Sequence, residues 1–241
     1  MKISIVIPAY NEEKLLPQTL LHVKKAAEAF LNKNWEYEII VCDNNSSDNT
    51  AEIARLYGAM VVFEPINQIA RARNKAARAA TGDWLIFIDA DCKPSFDLFN
   101  NVSKAIETNK VVGGGCIIRL DDVPFLAQLV CEFWNWISRL MKWAAGSFIF
   151  CKSDVFTVLG GFNEELFVSE EIDFSKRLKT IAKFQNKKII IITQTPLITS
   201  GRKVHLYNKR EYFLFILKTL FSFGAATRQR ESCNIWYDGR R

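Results

Sequence analysis

No run of the roughly 20 consecutive apolar residues needed by a membrane-spanning helix occurs in this sequence. The nearest candidates, Leu120 to Trp143 and Tyr212 to Ala226, are interrupted by Glu132, Arg139 and Lys142 in the first and by Lys218 in the second. A secretory leader is not expected either, because the apolar stretch after Lys2 ends at Pro8. No Cys-x-x-Cys pair exists among the cysteines at 42, 92, 116, 131, 151 and 233. Zinc ribbons and disulfide frames are thereby disfavoured, and reduced thiols of a cytosolic protein are expected. No Gly-x-Gly-x-x-Gly or Walker loop is present, which disfavours dinucleotide and P-loop chemistry. Repeats, low-complexity tracts and linkers are lacking too.

What remains is a globular composition. The chain has 241 residues, 49% of them hydrophobic, enough for one large domain with a substantial core. The formal net charge of +6 favours an anionic partner: nucleic acid, a phosphorylated substrate or a membrane surface. Nucleic acid has only the charge in its favour and is not expected.

Short β-rich runs alternate with helical patterns. Ile3–Ile7 reads as a strand, followed by a helix from about Glu12 with Leu16, Leu20, Val23, Ala27 and Phe30 on one face. Strands are predicted at Glu38–Cys42, Met60–Phe63 and Trp84–Ile88, with helices over Thr50–Tyr57 and Ile69–Ala80. This rhythm predicts a mostly parallel sheet with helices on both faces. Beyond Pro94 a helix is expected over Phe96–Glu107, then a strand through Gly113–Gly115. A long helix is expected over Val123–Trp143, and a late strand over Lys188–Thr193. In the long helix Gln128, Glu132, Asn135, Arg139 and Lys142 form a narrow polar stripe, read as its wet side on an otherwise apolar, Trp-bearing element. Such a helix is docked in a groove, covers a site or lies in a membrane interface, and simple packing is the leading reading.

Three polar clusters fall at carboxyl ends of strands, where open parallel sheets bind ligands. Pro8-Ala9-Tyr10-Asn11-Glu12 doubles as a strand stop with Asn11 as a helix cap. Asp43 follows the second strand, too early to cap the helix that Asp48 or Asn49 starts, so its carboxylate is offered to a ligand base. Asp89 and Asp91 end the fourth strand and point the same way, and the repulsion between them is relieved by a hard divalent cation or ligand donors. A calcium loop does not fit, since Lys93 and Pro94 follow. Arg71, Lys75 and Arg78 share one helix face as a solvated surface, whereas Arg73 steps off it toward a phosphate. Glu170, Glu171 and Asp173 open a helix, where the dipole favours them, and supply carboxylates for general-base work.

The runs SIVIPAYNEE, EIIVCDNNSSDNTAEIA, ARARNKAARAATGDWLIFIDADCKP, GSFIFCKSDVFTVLGGFNEEL and SEEIDFSKRL, in this order over residues 3–180, make the chain resemble family 2 glycosyltransferases of the GT-A fold. The resemblance implies a three-layer α/β/α sandwich and a metal-dependent inverting enzyme using a nucleotide-diphosphate sugar, UDP-sugar favoured. It implies that Pro8, Ala9, Tyr10 and Glu12 line the nucleotide, that Asp43 accepts from the base, and that Arg73 faces the diphosphate. It implies Asp89 near the ribose and Asp91 holding Mn²⁺ or Mg²⁺. Gly146, Phe148 and the Gly160-Gly161-Phe162 turn match the part that shapes the sugar and acceptor pocket. Glu171 aligns with the family's catalytic Asp, with Glu170 beside it as the other candidate base. Arg202 or His205 would close over the diphosphate or complete the metal shell. Two departures stand out: Asp43-Asn44-Asn45-Ser46 replaces the usual Asp-Asp-Gly-Ser, and Glu170-Glu171 replaces Glu-Asp.

The expected organisation is a glycosyltransferase domain over 1–201 (donor part about 1–95, acceptor part about 96–201) and a basic, aromatic, helical tail over 202–241. The acceptor is unread, a lipid phosphate, a polysaccharide end and a small hydroxylated molecule all being compatible; the tail and the Trp-bearing helix favour a lipid-linked acceptor and peripheral contact with the inner face of a membrane. The competing readings are a nucleotidyltransferase, whose Gly-rich basic loop after the first strand is replaced here by Pro8-Ala9-Tyr10-Asn11, and a GT-A relative that binds without turnover.

Overall fold

A computed structural model describes residues 1–206 and 228–230. Its elements are β1 (Lys2–Ala9), α1 (Leu16–Leu31), β2 (Glu36–Asp43), α2 (Thr50–Leu56), β3 (Met60–Phe63), α3 (Ile69–Ala79), β4 (Trp84–Ile88), β5 (Cys92–Lys93), α4 (Phe96–Glu107), β6 (Val111–Asp121), α5 (Phe125–Met141), β7 (Phe148–Lys152), α6 (Ser153–Leu159), α7 (Glu170–Phe184), β8 (Lys188–Ser200) and α8 (Arg202–Leu206). The expected tail falls outside the described residues apart from α8 and residues 228–230, and so does the apolar run near Phe213–Phe223. Among the described residues no helix is long and apolar enough to cross a membrane.

The strands form one sheet in the order β3-β2-β1-β4-β7-β6-β8-β5. β1 pairs in parallel with β2 and β4, and β2 with β3, so the first half is the parallel sheet that the βα rhythm predicts. β7 then inserts antiparallel between β4 and β6, β8 runs parallel to β6, and β5 returns antiparallel on β8. Strand order reverses about β1, with β2 on one side and β4 on the other, which opens a crevice at their carboxyl ends.

Side-chain alternation splits the core into two layers. Ile3, Ile5 and Ile7 join Leu20, Phe30, Phe99 and Phe150 beneath α1 and α4. Val6, Ile40 and Phe87 join Phe156, Phe162, Phe174 and Leu178 beneath α3, α6 and α7. Every residue of β4 is buried, as expected of a strand covered on both faces.

Three expectations change. α1 starts at Leu16 rather than near Glu12, because Pro17 lacks an N–H and is tolerated only in a helix's first turn. Residues 12–15 form a turn in which Leu15 and Leu16 N–H both donate to the Glu12 carbonyl. β8 runs on to Ser200 past Pro196; the β6–β8 register shifts between Cys116 and Ile118, and Pro196 falls within the corresponding irregular stretch of β8.

The third change concerns α5: of the expected wet stripe Glu132, Arg139 and Lys142 are exposed and Gln128 is half-buried, but Asn135 is turned inward, and the large apolar residues face out. Asn135 and Ser138 are each 1% exposed, while Phe125 is 79%, Phe133 62% and Trp136 53% exposed. The cause lies in β6. β7 pairs with β6 only over Gly113–Gly115, and beyond it Asn135 bonds both backbone groups of Ile118: Ile118 N–H donates to Oδ1 (2.9 Å) and Nδ2 donates to the Ile118 carbonyl (2.8 Å). Cys131 Sγ also donates to that carbonyl at 3.4 Å, and Ser138 Oγ donates to the Trp143 carbonyl at 2.6 Å. Cys131, Asn135 and Ser138 are held inward by these bonds.

Candidate functional site

The crevice is built where β1, β2 and β4 end. Asn11, in left-handed backbone (φ 52°), does not cap α1; its N–H donates to Ser46 Oγ (3.0 Å) and its Oδ1 accepts from Ser47 N–H (2.8 Å). The β1 and β2 loops are thereby tied to each other. Ala9 is a core residue whose carbonyl accepts from Asn44 N–H at 2.8 Å, while Pro8 and Tyr10 are half-buried at the strand end. Ala9 therefore contributes backbone rather than a nucleotide-facing side chain. Asp43 is buried, and one carboxylate oxygen, Oδ1, accepts from Ser46 N–H at 2.9 Å, which leaves Oδ2 for a ligand. Asn44 occupies the place of the family's usual second Asp. Its Nδ2 donates to the carbonyls of Glu64 (3.2 Å) and Ile66 (2.6 Å), and its Oδ1 accepts from Gln68 N–H (2.8 Å). Only an amide can do both, since a carboxylate has no proton to donate.

Arg73 sits at the centre of the site but not where a diphosphate would meet it. Its side chain is 2% exposed. Nη1 donates to Glu170 Oε1 (2.6 Å), Nη2 donates to Asp89 Oδ1 (3.0 Å) and to the Gly146 carbonyl (2.7 Å), and the guanidinium lies 5.3 Å from the centre of the Phe162 ring. The expectation of a diphosphate-facing Arg73 is corrected: it is a buried clamp holding Asp89 to Glu170. The other arginines of α3 are not merely solvated either. Arg71 pairs with Glu64 (3.0 Å) and Glu164 (2.9 Å), and Arg78 approaches Glu164 at 3.4 Å.

Glu170 and Glu171 open α7, after Ser169 in left-handed backbone (φ 68°). Glu170 is buried against Arg73. Burial raises its pKa and Arg73 opposes that rise. Glu171 packs under Gly146, where an added Cβ would lie 3.6 Å from its carboxyl carbon. It lines a cavity of about 240 Å³ together with Arg73, Asp89, Ile118, Trp134 and Ser147. Burial first, then the neighbouring Glu170 charge, push its pKa up to about 8. The cavity therefore holds a strongly basic carboxyl beside an Asp at the end of β4.

Asp91 lies at the other side of the crevice. Arg202, the first residue of α8, donates to both oxygens of Glu12, from Nη1 at 2.8 Å and from Nη2, and Nη2 lies 3.5 Å from Asp91 Oδ2. Glu12, expected to line the nucleotide, and Asp91, expected to hold the metal, thus share one arginine. His205 is exposed and its Nε2 is 2.6 Å from the Asp122 carbonyl. That nitrogen must be protonated to make the bond, so it is not offered to a metal. Among the described residues no cluster of three or more His, Cys, Asp and Glu is placed to hold an ion. Asp89 and Asp91 do supply hard oxygen donors at a strand end. Such a partial set fits Mg²⁺ or Mn²⁺, which take one or two carboxylates and complete their shell with water and phosphate oxygens.

Phe148 and Phe162 are core residues, so of the pocket-shaping group Gly146 is the one that lines the cavity. Asn74 was not legible as part of the site. It is 3% exposed; its Nδ2 donates to the Phe162 carbonyl (2.9 Å) and its Oδ1 accepts from Phe162 N–H (2.8 Å). This pins the Gly160–Phe162 turn to α3. Gly161 (φ 78°) is required there, since a Cβ would lie 2.5 Å from Asn74 Oδ1.

A Bacillus subtilis (strain 168) protein described as "Uncharacterized glycosyltransferase YfnE" is 38% identical over 121 residues, covering 47% of this chain and 30% of that protein. S. aureus TarS 1-349 in complex with UDP-GlcNAc superposes with a TM-score of 0.64 at 18% identity, over 99% of this chain and 71% of that one. Mannosyltransferase PcManGT from Pyrobaculum calidifontis, in complex with GDP-Man and Mn²⁺, gives 0.66 at 20% identity, over 96% and 64%. At these identities the two structures establish the fold, a mixed α/β sandwich around one large sheet. The chain spans less than a third of the length of the curated relative it matches. The sequence profile of the family described as "Glycosyl transferase family 2" matches residues 4–152, more than half of the chain, which therefore belongs to that family of glycosyltransferases.

Proposed function

We propose that this chain transfers a sugar from a nucleotide-diphosphate sugar, UDP-sugar favoured, to an acceptor hydroxyl with inversion at the anomeric carbon, assisted by Mn²⁺ or Mg²⁺. The observation that carries the reading is the placement of Glu171, with its raised pKa, in the same cavity as Asp89 at the carboxyl end of β4. The donor nucleotides seen with the TarS and PcManGT structures, and Mn²⁺ in the latter, support the choice of donor class and metal.

Glu171 is the base. Glu170 is bonded to buried Arg73 and is committed as that cation's counter-charge. Glu171 takes the proton from the acceptor oxygen as that oxygen bonds to the anomeric carbon. The bond from that carbon to the diphosphate breaks on the opposite side, and the electron pair leaves with the diphosphate. General-base help of this kind is worth about 10²–10⁴-fold. Arg73 holds Asp89 and, through Glu170, the start of α7, so it positions the base rather than touching substrate. Asp43 Oδ2 accepts from the nucleotide base, Asp89 lies near the ribose, and Asp91 is the residue that would hold the metal. When bound, the ion supplies Lewis-acid stabilisation of the departing diphosphate. Residues 1–95 provide the donor side and 96–201 the acceptor side.

Thermal unfolding with UDP, GDP, CDP and TMP, with and without Mn²⁺, tests this. One nucleotide should stabilise the protein in a metal-dependent manner, by about 2.7 kcal/mol at a hundredfold excess over Kd. Asp91→Asn should abolish the metal dependence. If no nucleotide shifts Tm under either condition, the reading fails.

A further inference from the structure

We propose that the outward face of α5 docks on an anionic lipid surface, and that the acceptor enters the Glu171 cavity from that surface. The second half rests on the glycosyltransferase reading; the first does not.

The face is continuous. Leu126, Leu129, Val130, Phe133, Trp136 and Leu140 recur at helical spacing and are all exposed. Phe125 and Met141 extend the face at the two ends, and Phe133 and Trp136 stack at 6.1 Å. Their exposed area is on the order of 1,000 Å², beyond the few hundred that a soluble monomer leaves bare. α5 cannot turn it inward, because Asn135, Cys131 and Ser138 are bonded to the Ile118 and Trp143 backbone on the other side. Among the described residues nothing covers it. The helix is about 25 Å long and is suited to lying flat in an interface rather than spanning a bilayer.

Charge selects the occupant. Glu132 is the one acidic residue of α5, and it is turned toward Gln128 and Asn135, which donate to its two oxygens at 3.1 and 3.3 Å. The carboxyl-terminal end is basic. Arg139 and Lys142 are exposed, Lys179 Nζ donates to the Met141 carbonyl at 2.8 Å, and Lys176 Nζ lies 5.2 Å from the centre of the Trp143 ring. Lysines and arginines at the margin of an aromatic, apolar face match phosphate headgroups above an acyl layer. Asp121 and Asp122 precede the helix, so the attraction is one-ended and the basic end sits nearest the lipid phosphates.

The face also continues into the site. Trp134, on the flank of α5, and Ile118, the residue Asn135 grips, both line the cavity that holds Glu171. An acceptor with an apolar anchor would keep its tail in the lipid and place its hydroxyl beneath that flank. This identifies the acceptor class as lipid-borne.

The test is flotation of the full chain with vesicles of phosphatidylcholine alone or of phosphatidylcholine and phosphatidylglycerol in equal parts. The wild type should float with the anionic vesicles and much less with the neutral ones, and salt should weaken the binding. The double variant Phe133→Ser/Trp136→Ser alters exposed positions; it should keep its Tm and its Mn²⁺-dependent nucleotide shift, yet lose at least tenfold in vesicle affinity. Retention of the nucleotide shift separates failure here from failure of the donor site. Equal flotation of the variant overturns the proposal. So does absence of flotation by the wild type, whether it sediments as a monomer or as a dimer, a second copy then covering the face.

Discussion

Glu171→Gln separates what this residue does for turnover from what it costs the fold. The carboxyl's pKa rises from 4.5 to about 8 because burial and the Glu170 charge disfavour ionisation. In the folded protein it therefore holds its proton over a pH range in which the unfolded chain has released it. The native state then binds more protons, so its stability falls as pH rises from about 4.5, with the loss complete above about 8. Shared with Glu170, the penalty is on the order of 2–4 kcal/mol on the alkaline side. Gln has the same shape and cannot ionise, so the variant should not suffer that loss. At about 2–4 °C per kcal/mol for a chain of this length, Tm above pH 8 should exceed that of the wild type by roughly 4–16 °C, while the two converge near pH 5. Transfer should fall by about 10²–10⁴-fold with the nucleotide-induced shift retained. In the wild type the rate should climb with pH up to about 8 as the base ionises. Thermal unfolding across pH, run beside a transfer assay, reads both effects. Parallel Tm profiles for the two proteins would show that Glu171 is not held protonated. Unimpaired turnover would remove it as the base.

Arg73→Met should destabilise the protein by about 3–5 kcal/mol in urea denaturation, since Glu170 is left buried without its counter-charge; Arg73→Lys should cost less but still misplace Asp89. Asn44→Asp, which restores the residue usual in the family, should nonetheless destabilise by about 1–3 kcal/mol, because a carboxylate cannot donate to the Glu64 and Ile66 carbonyls. That cost should shrink as pH falls and the new carboxyl protonates, which a pH series of Tm would reveal.

The first 95 residues were largely legible because each of their elements carries its own local period. β3 and β4 fall on the predicted bounds, and α3 ends one residue early. Past Pro94 only α4 does as well, helped by Ser95, whose Oγ accepts from Leu98 N–H. β7 escaped because its five residues become a strand only by pairing with β4 and β6, each more than 30 positions away in sequence. The amphipathicity of α5 was visible but its direction was not. Periodicity gives the axis of a helix's two faces, and here the bonds from Asn135 to the Ile118 backbone decide which one points inward. The same holds within the site. The acidic residues were identifiable, but the burial of Arg73 depends on Gly146 and Glu170, which the fold brings in from 73 and 97 positions away. Asn74 gave no signal at all, since an amide amid an alanine-rich helix looks like surface until the Gly161 turn is placed against it.

The bond from Arg202 to Glu12 joins residues 190 positions apart and brings a guanidinium within reach of Asp91. The acidic corner is thus already satisfied by a cation of its own. On the proposed reading, entry of a metal and a diphosphate would be an exchange of positive charges rather than the filling of a bare anionic hole, and the displaced guanidinium would stay tethered next to the incoming phosphates, where its forked donors suit them.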